Sequence, residues 1–197
     1  MRKIILMMSV SLDGFIEGPN REIDWHQVDA ELHRHFNREI RKLGALLSGR
    51  VTYELMAGFW PTADKDPDST PEVVEFAGIW RNMPKVVFSR TLQRAEGHTT
   101  IVREVVPEEI RALKEQPGGD LGLGGADLAA AFMRHDLVDE FWVYVHPVLI
   151  GRGKPLFPEA DALTRLRLIE ARVFGNGVAQ LRYERAEAGA AANAAGS

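Results

Sequence analysis

Three short stretches place ligand-holding residue types directly after an apolar run. The first is Ser48-Gly49-Arg50-Val51-Thr52-Tyr53-Glu54, where a strand pattern gives way to a helix pattern. A glycine there lets the backbone approach a ligand closely. The free N–H groups of the following helical turn can hold a phosphate, and Arg50 and Thr52 add donors. A glycine turn beside a surface arginine is the plainer reading. The second stretch is Gly124-Gly125-Ala126-Asp127-Leu128. Paired glycines ahead of a helix can form an anion-binding nest, or simply a tight turn that needs positive φ. The third is Ser89-Arg90-Thr91 after Val86-Val87-Phe88. A hydroxyl beside a guanidinium suits a further phosphate, such as the 2′-phosphate of NADPH. A solvated loop arginine is the alternative.

Other chemistries find less support. Gly122 and Gly124 begin a G-x-G-x-x-G pattern, but Asp127 stands where its last glycine belongs, so a Rossmann dehydrogenase is not expected. Gly151-Arg152-Gly153-Lys154-Pro155 is not a P-loop, because proline replaces the hydroxyl residue after the lysine. His33 and His35 are two apart on one helix and point in different directions. There is no H-E-x-x-H or G-x-S-x-G motif, and no metal site is expected. The chain has no cysteine, which excludes disulfides, zinc–thiolate sites and a cysteine nucleophile. Trp142, Tyr144 and His146 alternate along one strand and share a face, where they line a pocket, a dimer interface or the core.

The elements that must position these residues alternate between strand and helix. Ile4 to Val10 reads as a buried strand, broken by Ser11-Leu12-Asp13-Gly14-Phe15. Asp29 to Leu43 is an amphipathic helix with Leu32, Phe36, Ile40 and Leu43 on one stripe, and Gly44 sits at its C-terminal cap position. Thr70-Pro71-Glu72 starts a helix, with a hydroxyl cap and proline in the first turn. Strands are expected at Ala45–Ser48, Lys85–Ser89, Thr99–Arg103, Asp120–Gly124 and Phe141–Ile150, with helices from Val51, from Pro107 and over Ala126–Arg134. Leu166–Phe174 and Val178–Arg185 flank Gly175-Asn176-Gly177, a hairpin signal. About eight strands with intervening helices imply an α/β fold: a mixed, mainly parallel sheet with helices on both faces. Residues 1–185 form one domain, and the Ala/Gly-rich residues 186–197 read as a flexible tail.

Bulk properties narrow the partners. With 197 residues, 45% hydrophobic, the chain is long enough to bury a real core. A net charge of -4 without a Lys/Arg cluster argues against nucleic acid. No segment approaches the roughly 20 apolar residues of a membrane span, and a cytoplasmic protein is expected.

Taken in order, Ser11-Leu12-Asp13-Gly14-Phe15-Ile16, Gly49 to Glu54, Val86 to Arg90, Gly124-Gly125 and Pro147-Val148-Leu149-Ile150-Gly151 resemble a known family. They look like the dihydrofolate-reductase-like proteins related to the reductase domain of the bifunctional riboflavin-biosynthesis deaminase/reductase. The resemblance covers nearly the whole chain to about Arg185. It implies an eight-stranded sheet, NADPH as cofactor, hydride transfer to a small, pterin- or pyrimidine-like heterocycle, and a homodimer. A nucleotide-binding or ligand-sensing homodimer without turnover is the second reading. The resemblance also implies that Gly49, Arg50 and Thr52 lie near the adenosine and phosphate side, and Ser89 and Arg90 near the 2′-phosphate. Gly124, Gly125, Ala126, Asp127 and Leu128 would hold the pyrophosphate, with a cis peptide between the two glycines. The Leu12–Ile16 loop would flank the nicotinamide, with Asp13 the one residue named for a polar catalytic role; capping its own loop is the plainer role. Trp25, Trp60 and Tyr144 are expected to border the substrate space or to be core. The chain also departs from the resemblance. With no cysteine among its 197 residues, the sequence is not expected to hold the zinc deaminase domain. Dihydrofolate reductases carry a helix carboxylate four residues before a pocket phenylalanine; if Phe36 is that phenylalanine, the position holds Leu32.

Overall fold

The computed structural model describes residues 1–157, 159 and 163–186, so the expected tail lies outside the described residues. Among the described residues, ten strands and five α-helices follow one another. They are β1 (Ile4–Ser11), β2 (Phe15–Glu17), α1 (Ala30–Ile40), β3 (Ala45–Gly49), α2 (Arg50–Ala57), α3 (Pro71–Asn82), β4 (Lys85–Phe88) and β5 (Thr99–Val102). After them come α4 (Pro107–Glu115), β6 (Leu121–Gly124), α5 (Ala126–Arg134), β7 (Glu140–His146), β8 (Lys154–Pro155), β9 (Leu166–Val173) and β10 (Ala179–Arg185). A 3-10 turn over Trp60–Lys65 links α2 to α3. No described helix is long and apolar enough to cross a membrane.

Eight strands form one sheet in the order β5-β4-β3-β6-β1-β7-β10-β9. The first six run parallel, and β10 is antiparallel to both of its neighbours. The central strand β1 shows why. Ile4 and Leu6 are fully buried on one face, with Leu121, Leu123, Ala129 and Phe132; Ile5 faces the other way, with Leu32, Trp142 and Tyr144. A strand buried on both faces must be continuously apolar, the pattern expected of a parallel sheet covered by helices. A third cluster joins Tyr53 of α2, Phe76 and Trp80 of α3 and Val87 of β4.

Local sequence sets the element ends. Asp29 accepts a hydrogen bond from the Leu32 N–H and Thr70 one from the Val73 N–H, so α1 and α3 start where the capping residues stand. The helix α1 stops at Ile40, before the expected Leu43. Gly44 instead permits close approach, since a Cβ there would meet the Gly119 carbonyl at 2.7 Å. The strand β7 ends at His146, short of Ile150, because Pro147 has no N–H to donate and the Val148 N–H turns back to the His146 carbonyl. The hairpin signal is realised between β9 and β10, with Gly177 at φ 86°. The two-stranded sheet of β2 and β8 was not expected: its three- and two-residue strands show no periodicity, and their pairing is not local.

Candidate functional site

Strands β3 and β6 are neighbours, with Ser48 opposite Gly124, so α2 and α5 begin side by side at the carboxyl edge of the sheet. Both helices start from a glycine, Gly49 and Gly125, and neither has a side-chain cap. Their first-turn N–H groups are therefore not claimed by a capping side chain, unlike those of α1 and α3. On the other side of β3, Phe88 lies opposite Gly49, and Val102 lies opposite Phe88. The chain segments leaving β5, β4, β3 and β6 thus line one edge.

A cleft of about 670 Å³ runs along that edge. Gly49, Arg50 and Thr52 line it from the first junction, and Ser89 and Arg90 from the next. Gly125, Ala126, Asp127 and Leu128 line it from the third, while Gly124 faces the adjoining cavity. Five cationic side chains, Arg50, Arg90, Arg103, Arg134 and Lys154, meet three anionic ones, Glu17, Glu104 and Asp127. Lys154 pairs with Asp127 and so offsets the one acid in the first turn of α5. The Arg90 side chain is 82% exposed, with Glu104 3.8 Å away. Arg103 donates to the carbonyls of Ser89 and Leu92 at 2.9 and 2.7 Å and fastens the loop. The Ser89 hydroxyl accepts from the N–H groups of Thr91 and Leu92, which leaves its own proton to donate.

The expected cis bond between Gly124 and Gly125 is a correction: no cis peptide occurs among the described residues. The reversal is made instead by Gly125 at φ 93° and ψ 131°, a conformation that suits glycine and removes any need for the rarer isomer. A Cβ on Gly125 would stand 2.8 Å from the Thr52 hydroxyl oxygen.

A second cavity, of about 550 Å³, adjoins the cleft at Thr52, which lines both. Trp60 and Tyr144 are on its wall, as are Phe36 and Ile40 of α1 and Phe76 of α3. The Tyr144 hydroxyl lies 3.1 Å from His35 Nε2 and accepts from Gln180 at 2.9 Å; burial pushes its pKa up. Leu32 is fully buried in the core, Asp29 caps α1, and Glu31 pairs with Arg172 and accepts from the Gly175 N–H. None of the three offers a carboxylate to the cavity. Trp25 is not on the cavity wall. Its loop folds onto β7, so its ring stands edge-on to His26 at 4.2 Å and to His146 at 5.7 Å. Asp13 lines neither space; its carboxylate accepts the N–H groups of Gly151 at 2.7 Å and Ile150 at 3.3 Å.

Sequence reasoning did not single out His26, which lines the cavity together with His33. His26 stacks on His146 with ring centroids 5.2 Å apart. Gln27 holds this loop in place, its N–H donating to His146 Nδ1 and its carbonyl accepting from Asn176. His146 therefore carries its proton on Nε2, and that atom and His26 Nε2 are buried without partners. Burial lowers the pKa of His26 and is the largest influence lowering that of His33, which the carboxylates of Glu72 and Glu75 oppose. Arg103, Arg134 and Lys154 also line the cleft, although no local sequence pattern marks them.

Comparison with known proteins places this geometry in context. The model of the family described as RibD C-terminal domain matches residues 2–180. The uncharacterized protein YyaP of Bacillus subtilis is 37% identical over 186 residues, covering 92% of this chain and 94% of YyaP. Among solved structures, a diaminohydroxyphosphoribosylaminopyrimidine deaminase/5-amino-6-(5-phosphoribosylamino)uracil reductase from Thermotoga maritima superposes with a TM-score of 0.65 at 15% identity. That match covers 94% of this chain and 57% of the Thermotoga chain. A dihydrofolate reductase from Enterococcus faecalis, complexed with NADP(H), gives 0.59 at 15% identity, covering 93% and 96%. These two likenesses concern the fold: a mixed, mostly parallel eight-stranded sheet with helices.

Proposed function

This chain belongs to the RibD C-terminal domain family, and we propose that it is an NADPH-dependent reductase acting on a small, pterin- or pyrimidine-like ring. One observation carries the reading: two helices without side-chain caps open together into a charged cleft that meets an apolar cavity at Thr52. The donor set suits a dinucleotide phosphate chain. The first-turn N–H groups of α2 and α5 would hold the pyrophosphate, and Gly125 makes the turn into α5 at φ 93° without a side chain to crowd the Thr52 hydroxyl. Ser89 and Arg90 would hold the 2′-phosphate, and Arg103 keeps their loop in place.

When bound, NADPH supplies a hydride, two electrons carried with one proton, to a carbon of the substrate ring. The chain's own residues align and exclude water. Phe36, Trp60 and Tyr144 form a dry wall for a flat ring, and Thr52 stands where the two spaces join. Among the described residues the cavity wall carries no carboxylate, so a single admitted water molecule, rather than an acidic side chain, would deliver the proton that accompanies reduction. Asp13 acts by bracing the Ile150–Gly151 loop.

The test is a comparison of NADPH and NADH dissociation constants for wild type and Arg90→Ala. Losing a charge-assisted bond to phosphate costs about 1.5–3 kcal/mol, or roughly tenfold to a hundredfold in affinity. The variant should lose that preference while NADH binding stays level. Full preference in the variant would remove Arg90 as selector, and no NADPH binding by the wild type would end the cofactor reading.

The reading includes a homodimer. The edge strand β9 exposes Leu166, Leu168, Ile169 and Val173, an apolar row that a second copy would cover. Light scattering should return twice the 22.0 kDa chain mass, falling toward one chain when Leu168 and Val173 are both changed to Lys. A wild-type mass of one chain would reject the dimer.

A further inference from the structure

We propose that the apolar cavity selects an uncharged, phosphate-free planar ring compound, and so differs in substrate class from the phosphoribosyl reductase whose fold it shares. The inference rests on reading this cavity as the substrate site. It begins with charge. Among the described residues, the cavity wall has no Asp, Glu or Arg. Its one ammonium group, on Lys85, is turned away. Lys85 is 5% exposed, and its Nζ donates to the carbonyls of Trp80 and Met83 while lying 4.6 Å from the centre of the Trp80 ring. Its three protons are directed at carbonyls and a π-face, which leaves little to offer a ligand anion.

The other polar side chains on the wall are neutral: the hydroxyls of Ser9, Ser48, Thr52 and Tyr144, the indoles of Trp60 and Trp80, and the imidazoles of His26 and His33, whose pKa values burial lowers. Such groups can orient a ring carbonyl or N–H, but they cannot neutralise a phosphate. An anion drawn into this space would lose its hydration without gaining a counterion, and that is unfavourable. The walls point the same way. Phe36 and Trp60 are half-buried and offer apolar surface to a ring, and the buried Phe76 and Tyr144 back them. The cations of this edge, Arg50, Arg90, Arg103, Arg134 and Lys154, all lie in the neighbouring cleft. The chain thus separates the two chemistries: phosphates belong to the cleft, and the ring to the cavity.

Isothermal titration calorimetry on the full chain tests this with a matched pair, 1-naphthol and 1-naphthyl phosphate. The first should bind, and the second at least about a hundredfold more weakly, because the added dianion finds no partner. Val73 lies on the cavity wall, and Val73→Trp, checked for folding by circular dichroism, fills the space. It should weaken 1-naphthol binding at least about tenfold. It should leave any residual phosphate binding unchanged, since that binding belongs to the cleft. The proposal is overturned if 1-naphthyl phosphate binds as well as 1-naphthol and Val73→Trp weakens it, or if 1-naphthol does not bind. A separate NADPH titration keeps the two readings apart: failure there ends the reductase reading and leaves the selectivity of the cavity measured.

Discussion

Acidification from pH 6.5 to about 4 is expected to cost this protein roughly 3 kcal/mol of folding stability for each of two histidines, His35 and His146. Burial is the main cause, lowering each imidazole from 6.5 to about 4 in the folded chain. His35 is 5% exposed and His146 is fully buried. The contacts explain why protonation is resisted. At His35 the Arg38 guanidinium lies 3.0 Å from Nδ1, and it can only donate; Nε2 therefore carries the proton and donates to Tyr144. The nearby charges divide, with Glu39 and Glu170 favouring protonation and Arg38 and Arg172 opposing it. At His146 the Gln27 N–H occupies Nδ1, and His26 stacks against the ring. A second proton on either ring must displace a fixed donor.

The sign follows from proton counting. Between about 4 and 6.5 the unfolded chain binds protons that the folded chain refuses. Stability is therefore fully present above the unfolded pKa and is lost as pH falls through this window. The two losses together, about 6 kcal/mol, already fall at the lower end of the roughly 5–15 kcal/mol that a domain possesses. Urea unfolding at about pH 7 and about pH 4.5 measures the loss, and the paired His35→Gln, His146→Gln variant should show a flatter dependence. If variant and wild type lose stability in parallel, the acid response lies in other groups.

The sequence made the cleft legible one junction at a time. Ser48-Gly49-Arg50, Ser89-Arg90 and Gly124-Gly125 each show their character locally, as an apolar run ending in a glycine or hydroxyl before a turn or helix. Their assembly is not local. It depends on the strand order β5-β4-β3-β6, which brings Gly124 beside Ser48 although they are far apart in the chain. Arg103 and Lys154 were hidden for the same reason: each is an ordinary cation until β5 and β8 carry it to the edge. The Trp142, Tyr144 and His146 alternation was readable from the two-residue strand period. The partner it acquires, His26, comes from an irregular loop held by Gln27 and Asn176, which no period announces. The carboxylate-free cavity was readable in part, since Leu32 stands where an acid would be needed. That Glu31 turns instead to Arg172 and Gly175 could come only from the packing of α1 against the hairpin.

Gly125→Ala is expected to abolish most NADPH affinity while the sheet still folds. Two physical effects coincide at this residue. Its φ of 93° and ψ of 131° lie where an alanine is strained by about 1–3 kcal/mol. A Cβ would also stand 2.8 Å from the Thr52 hydroxyl oxygen, closer than the two atoms can sit. The chain has two ways out. Thr52 can swing aside, which withdraws its hydroxyl from the cleft, or the turn can relax toward negative φ, which re-aims the first N–H groups of α5. Either response would spoil the proposed pyrophosphate cradle, so a loss of about tenfold to a hundredfold is expected even from a displacement that leaves the core untouched. A partial rescue separates the causes. Thr52→Ser keeps the hydroxyl, and with it one donor, but gives that group more room to turn. The double variant should therefore recover part of the affinity, leaving the share due to backbone strain. Calorimetric titration with NADPH and urea unfolding read binding and stability independently. Wild-type affinity in Gly125→Ala would show that this turn does not hold the phosphates. Equal loss of stability and binding, with no recovery in the double variant, would make Gly125 a structural glycine alone.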